Sequence, residues 1–453
     1  MDIGIGLPQI RRTAIGKLLE FRALPGGASM TMRPQSGDRM TSDEKRAGAG
    51  LAAVLALRML GLFLILPVFA EHAKHIPGGD SKTLIGLAMG AYGLTQAIFQ
   101  IPFGIASDRW GRKRVIVFGL LLFAIGSAIA ALAGDIWMVI LGRVVQGVGA
   151  ISAAVTALAA DLTREHHRTK IMAMIGASIG LVFAASLIGA PAMYAVVGMA
   201  GIFWLTAILA LGAIGLVTFL VPAAPPIQPG PKVPLREVLL DAQLLRLNFG
   251  IFALHLIQIA MFVVMPGLLI STGNLPLSHH WQVYLGTMLA SLVPMVPAII
   301  YAEKHVRLKP VFLVAVALLV IAEGGSFLGM GHFAVIVAMM WVFFVAFNIL
   351  EASLPSLISR VAPPRAKGAA LGVYSMCQAL GLFTGGAVGG VLAQHAGPGG
   401  VFAFGAVVAV VWLLVAASMR PPLQTISREP ATASRSLTSP GVADVYMRRS
   451  ELR

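Results

Sequence analysis

Charge is what this 453-residue sequence holds least of. Asp, Glu, Lys and Arg together make 12%, about half the ~25% usual in soluble domains. Cysteine is nearly absent: Cys377 stands alone, so no internal disulfide forms and nothing points to an oxidising compartment. No G-x-x-x-x-G-K-[ST] loop is present to cradle nucleotide phosphates, which excludes an ATP-driven pump made of this chain by itself. Residues 1–46 hold no long apolar core and no small-residue cleavage site, so no signal peptide is expected, and Met30, Met32 and Met40 offer later starts. Against these shortages stand 57% hydrophobic residues and 50 glycines. A soluble globule of this size still exposes a large surface, and so few charged residues cannot cover it while that many apolar ones are hidden. A disordered chain and a small disulfide scaffold are excluded with it. An outer-membrane barrel would leave half its residues polar. What remains is an all-α polytopic membrane protein.

A spanning helix takes ~20 apolar residues, and the apolar content suffices for about a dozen. Apolar stretches near 48–71, 83–106, 113–133, 136–160, 170–197 and 200–221 predict six spans, and those near 246–271, 281–302, 310–329, 333–358, 367–394 and 400–419 predict six more. The expected organisation is a disordered tail over 1–47, a six-helix bundle over 48–221, a Pro-rich linker over 222–245, a second bundle over 246–419 and a disordered tail from 420 to 453. Twelve spans put both termini on one side. The tails and the loops after even-numbered spans carry 30 of the 34 Lys and Arg; Lys74 and Lys82 lie in the first opposite loop, and Arg58 and Arg143 lie inside spans. The positive-inside rule makes the basic side cytoplasmic, in a bacterial inner membrane. The net charge of +15 is therefore topology and not a nucleic-acid footprint. The expected partners are the lipid bilayer and a small-molecule substrate, with the chain acting as a monomer.

The two bundles repeat. Asp108-Arg109-Trp110-Gly111-Arg112-Lys113-Arg114 follows the second span, and Glu303-Lys304-His305-Val306-Arg307-Leu308-Lys309 follows the eighth, 195 positions later; Pro102 and Pro297 share that offset. Repeated bundles are a signature of secondary transporters, whose site lies at the repeat interface. Polar residues inside spans are costly and mark pathways or interhelical contacts. Tyr92, Gln96 and Gln100 form one stripe on the second span; His255 with Gln258, Asn348 with Glu351, and Tyr374 with Gln378 share faces of the seventh, tenth and eleventh. A proton-coupled cycle needs a group that gains and loses a proton, and Glu351 is the leading candidate, His255 the second. Glu323 reads as structural. Glu71-His72-x-x-His75 lacks a third strong ligand fixed in space and reads as a solvated loop end. No clustered carboxylates, metal-ligand set or nucleophile triad supports a membrane-embedded enzyme.

The segment Gly104-Ile105-Ala106-Ser107-Asp108-Arg109-Trp110-Gly111-Arg112-Lys113-Arg114 resembles motif A of the major facilitator superfamily, at its expected place between the second and third spans. Gly104 and Gly111 permit a tight helix-to-helix turn, Asp108 can accept from a helix N-terminus, and Arg112 can pair with Asp161. The resemblance implies that this cluster latches the two halves in an outward-open state; the plainer alternative is a basic topogenic loop. Arg143-Val144-Val145-Gln146-Gly147-Val148-Gly149-Ala150 resembles motif B, which implies a role in proton coupling or cavity structure. Leu60-Gly61 with Pro67-Val68 resembles the first-span motif of twelve-helix drug:proton antiporters, although Ala70 replaces its final proline, and Gly189-Ala190-Pro191 fits their fifth-span motif only loosely. Residues 92–104, 161–165 and 247–252 are most similar to YajR-type bacterial members. Those can carry a small soluble C-terminal domain, for which a tail from Arg420 is too short.

The superfamily's fold implies two pseudo-symmetric six-helix bundles with spans 1, 4, 7 and 10 lining a central cavity. Arg58, Arg143, His255 with Gln258, and Asn348 with Glu351 then supply one polar group or pair to each. The implied function is alternating-access transport, as proton-driven efflux of a small molecule or as a proton symporter or uniporter. No cofactor is expected beyond the proton gradient. The two arginines favour an anionic or polar ligand.

Overall fold

The computed structural model describes residues 40–222, 235–305, 307–363 and 366–420. The predicted tails 1–39 and 421–453 and most of the predicted linker lie outside the described residues. Among the described residues there is no strand. Long helices α1 (Ser42–Phe63), α2 (Lys82–Trp110) and α3 (Arg112–Ala131) come first, followed by α4 (Ile136–Asp161). The helix Glu165–Gly215 is 51 residues long and has a non-helical residue, Gly198, at φ 65°. That left-handed backbone suits glycine and falls in the predicted break, so α5 (165–197) and α6 (199–215) are two spans. The second half holds α7 (Ala242–Gly273), α8 (His280–Lys304), α9 (Leu308–Leu328), α10 (Phe333–Val361), α11 (Lys367–His395) and α12 (Gly397–Ala417). These are twelve spanning helices in two six-helix halves.

The ends are set by local chemistry. Asp135 caps α4 through the Met138 N–H at 2.8 Å, and Asp241 caps α7 through Gln243 and Leu244 at 2.8 Å. Asn274, left-handed at φ 48°, ends α7. Gly111 at φ 95° makes the turn from α2 into α3. Two boundaries differ from the sequence reading. Helix α1 starts at Ser42, inside the predicted tail, because Asp43 and Glu44 occupy its first turn, where carboxylates favour the helix dipole. The predicted linker contributes a short helix, Leu235–Leu239, and the first turn of α7.

Large apolar side chains face outward at mid-helix, such as Leu181 and Val293, a surface that only lipid tolerates. The halves meet through α11, which uses two glycine rows. Gly381, Gly385 and Gly389 lie on the α7 backbone at Phe252, Leu256 and Ala260, while Gly386 and Gly390 lie on α2 at Gly86 and Gly90. A Cβ at any of these collides with the opposite helix, which is the small-residue packing that spanning helices favour.

The repeat is visible in three dimensions. Lys113, opening α3, donates to the Val221 carbonyl just past α6. Lys309, in the first turn of α9, donates to Ala417 at 2.9 Å and Met419 at 2.6 Å at the end of α12. Each lysine thus satisfies carbonyls at the end of its half's last helix, where a cation also favours the dipole.

Candidate functional site

The two halves treat their buried polar residues differently. In the N-terminal half, Arg58 of α1 is fully buried. Its Nη2 donates to the Tyr92 hydroxyl at 2.5 Å and to the Gly149 carbonyl at 3.2 Å, and its Nη1 to Ser152 at 3.3 Å. Arg143 of α4 donates to the carbonyls of Ala88 at 3.3 Å and Met89 at 3.2 Å and to Gln146 Oε1 at 2.9 Å. Gln146 passes the chain to Ser127 at 2.8 Å, and Ser127 to the Phe123 carbonyl at 2.7 Å. Both guanidinium groups lie on the Tyr92 ring, 5.6 and 5.1 Å from its centroid, a contact that favours a desolvated cation. Gly147 lets α4 touch α2 at Tyr92 and Thr95. The motif B residues are therefore tied into contacts among α2, α3 and α4, and Arg58 into α1, α2 and α4. In this structure carbonyls and hydroxyls enclose both arginines, and Arg143 also bonds Gln146. Gln96 is buried, and Gln100 has both amide atoms buried without a hydrogen-bond partner among the described residues.

In the C-terminal half three helices converge on one point. His255 of α7 directs Nδ1 at the Ile251 carbonyl, 3.2 Å away, so that nitrogen carries the proton. Its Nε2 then accepts from the Gln378 amide of α11 at 2.8 Å. Glu351 of α10 brings Oε2 to 3.9 Å from the same Nε2. That oxygen and the Tyr374 hydroxyl are both buried without a hydrogen-bond partner among the described residues. Phe347 stands over His255, with ring centroids 6.0 Å apart, and meets Phe183 of the opposite half at 5.5 Å. Gln258 is buried one turn from His255.

Asn348 does not join this group. Its amide donates to Ser291 at 2.9 Å and approaches the Met288 sulfur at 3.6 Å, tying α10 to α8. Positions three apart on a helix diverge by about 60°, enough to send Asn348 and Glu351 to different neighbours. Glu323, read as structural, is buried against Gly405 of α12, a glycine that leaves room for its carboxylate.

On the basic face, Arg112 pairs with Asp161 at 3.0 Å and with Asp108, and donates to Ser107 at 2.7 Å. Gly104 faces Ala153 of α4, and Arg109 is exposed at the end of α2. The partners of this cluster (Ser107, Asp108, Asp161 and, for Lys113, Val221) all belong to the N-terminal half. In the repeat, Glu303 at the end of α8 pairs with Arg360 at the end of α10, 3.8 Å away. Sequence reading missed Glu44, whose carboxylate takes the Arg164 guanidinium at 2.9 Å and its backbone N–H at 3.0 Å. Glu44 had been assigned to the tail, so its place in the first turn of a spanning helix was not considered.

The opposite face is closed by contacts between halves. The Lys82 backbone N–H donates to Gln394 at 2.7 Å, and its ammonium to the Ala393 carbonyl at 3.3 Å. Glu71 is held by Lys74 at 2.7 and 2.8 Å, and the pair rests on Gly267 of α7 beside a cavity of about 210 Å³. His72 meets the Tyr194 hydroxyl at 3.1 Å. The segment read as a solvated loop end is thus partly packed. No His, Cys, Asp or Glu cluster among the described residues has metal-binding geometry. The repeated G-x-x-x-G spacings at Gly86/Gly90 and Gly386/Gly390 were the available signal for this seam.

Two repeated bundles that meet around buried polar groups define a secondary transporter. The family profile of the Major Facilitator Superfamily matches residues 51–347 and 301–449. The chain is 48% identical over 389 residues to the inner membrane transport protein YajR of Escherichia coli (strain K12), covering 85% of each. It is 26% identical over 371 residues to the multidrug resistance protein MdtH of Aeromonas salmonicida, covering 79% of this chain and 90% of that one. The human organic anion transporter MFSD10 has the same fold, with a TM-score of 0.64 at 17% identity over 83% of this chain and all of that one. The protein belongs to the major facilitator superfamily and is a membrane transporter, not an enzyme.

Proposed function

We propose that this transporter exports a small molecule in exchange for protons, with Glu351 as the coupling group. The observation that carries the reading is the Glu351 Oε2 atom, buried without a hydrogen-bond partner 3.9 Å from a histidine nitrogen that already accepts a bond. A carboxylate so placed exchanges a proton or a ligand with little rearrangement, whereas the arginines across the interface are committed to their own half. The distribution of Lys and Arg supports a cytoplasmic basic face. The contacts of Lys82, Glu71 and the glycine seam then close the periplasmic side, so the site communicates with the cytoplasm in this state. The motif A cluster, satisfied within its own half here, acquires its partner across the interface when the cytoplasmic side closes. Export is favoured by likeness to a protein named for multidrug resistance.

The test is gradient-driven flux in proteoliposomes with an imposed pH difference and a panel of candidate compounds. Wild type moves a compound against its gradient, and Glu351→Gln loses that uphill movement. Gradient-driven accumulation that survives Glu351→Gln rules out the coupling assignment.

A further inference from the structure

We propose that the cavity of about 210 Å³ on the face opposite the basic loops binds a small organic monocarboxylate, with the carboxylate at Lys82 and Ser271 and the apolar body against Ile85, Val263 and Leu268. The site is separate from the Glu351 cluster and does not depend on its role. Gly267, on the cavity wall, lies twelve residues along α7 from His255, about 18 Å at 1.5 Å per residue. The walls come from both halves. Lys82 and Ile85 belong to α2, Glu71 and Lys74 to the short helix Phe69–Ala73 and its C-cap, and Val263, Leu268 and Ser271 to α7. The site therefore exists only while the halves meet on this face, and an occupant touches both of them.

The charge of the cavity sets the sign of the ligand. Glu71 is neutralised, because both of its carboxylate oxygens lie on the Lys74 ammonium at 2.7 and 2.8 Å. Lys82 is left as the surplus positive charge. Its ammonium donates to one carbonyl, that of Ala393 at 3.3 Å, and among the described residues it has no carboxylate partner. A lysine ammonium carries three donors, so protons remain for a ligand, and Lys82 is exposed enough to be reached. The Ser271 hydroxyl donates to the Leu268 carbonyl of its own turn at 3.4 Å, a long bond that a carboxylate replaces at shorter range. The other described residues on the wall carry no charge.

Size and lining set the rest of the ligand. An apolar cavity of about 150 Å³ takes up benzene, so about 210 Å³ holds a ring of that size together with a carboxylate. Ile85, Val263 and Leu268 are buried side chains that cover an apolar body and leave the charged head at Lys82. Few polar groups on a mostly apolar wall is the usual build of a small-molecule site. Gly267 matters to the shape: a Cβ there would lie 3.1 Å from Glu71 Oε1, so the glycine lets the ion pair lie flat on α7 beside the cavity. A monocation meets the surplus charge of Lys82, and an inorganic anion leaves the apolar wall uncovered.

The experiment is equilibrium binding of radiolabelled benzoate to the purified full chain in lipid nanodiscs, without any gradient, alongside radiolabelled benzamide as the neutral isostere. Wild type binds benzoate saturably and benzamide at least tenfold more weakly. Lys82→Met lowers benzoate affinity by about tenfold at unchanged melting temperature, and Lys82→Arg retains most of it. Val263→Phe, which fills the apolar part and leaves every charge in place, abolishes binding in protein that still melts cooperatively. Glu351→Gln binds benzoate as wild type does. Absence of saturable benzoate binding, equal affinity in wild type and Lys82→Met, or equal affinity for benzamide overturns the proposal. So does loss of binding in Glu351→Gln, which would place the ligand at the Glu351 cluster and not in this cavity.

Discussion

The N-terminal half binds Arg58 and Arg143 to carbonyls, hydroxyls and an amide, with Arg58 Nε left without a partner; the C-terminal half sets Glu351 beside His255 and leaves the Glu351 Oε2 atom without a hydrogen-bond partner among the described residues. Both halves descend from the same six-helix pattern, down to the lysines that cap α6 and α12. The difference teaches that burial of a charge inside a spanning bundle does not by itself mark function. What separates Arg143 from Glu351 is whether the polar atoms have partners. Arg143 has three acceptors in fixed positions, so removing it leaves carbonyls stranded. Glu351 has a buried oxygen with no partner, so removing it costs the fold little and the chemistry much.

The sharpest break of that contrast is expected at Glu351. The Glu351→Gln exchange keeps shape and removes only the ionisable group, so uphill transport should fall by about 100-fold or more while thermal unfolding in detergent stays where it is. A variant that unfolds earlier yet transports normally would reverse the assignment. Next in size is Arg143→Met, which preserves volume but strands Ala88, Met89 and Gln146 in a buried site. It should lower stability by roughly 2 kcal/mol, read as earlier unfolding, and reduce transport only in proportion to the folded protein. A full-stability Arg143→Met protein that has lost transport would make the arginine a working group. A smaller effect is expected for Asp161→Asn on the basic face. Its pair with Arg112 has an Asp side chain 30% exposed, so about 0.5–1 kcal/mol or less is at stake, and Arg112 keeps Asp108 and Ser107. The informative readout is cysteine cross-linking between Lys82→Cys and Gln394→Cys in a Cys377→Ser background, which reports how often the opposite face is closed. If the motif A cluster holds only its own half together, Asp161→Asn leaves cross-linking unchanged; a marked rise shows that it helps the opposite face to open.

Most of the fold was legible because the membrane enforces it. Length and hydropathy determine the spans with little help from packing. Even Gly198, which turns α5 into α6, sits in the break read from the sequence. The site was less legible. Helical spacing placed Tyr374 with Gln378 and drew attention to His255 and Glu351, but it also paired Asn348 with Glu351. Only the position of α8, with Ser291 and Met288, shows that they diverge. The arginines are a related case: sequence reveals that a charge is buried but not that carbonyls of other helices enclose it. The seam of Gly86, Gly90, Gly386 and Gly390 depends on which helices become neighbours, which spacing within one helix does not specify.

The smallest effect tests whether the face opposite the basic loops is packed or merely solvated. His72 sits just outside the spans, bonded to Tyr194. Burial, and then the neighbouring His75, hold its imidazole below the ordinary range. The folded chain therefore binds this proton less readily than the unfolded chain does. Stability from this group is full above the unfolded value near ~6.5 and is lost as pH falls through the window below it. A solvated loop end would show no such slope. The expected outcome is a melting temperature that declines on mild acidification by about a degree more in wild type than in His72→Gln, measured in detergent with the rest of the chain unchanged. An equal decline in wild type and His72→Gln overturns the reading that His72 is packed on Tyr194.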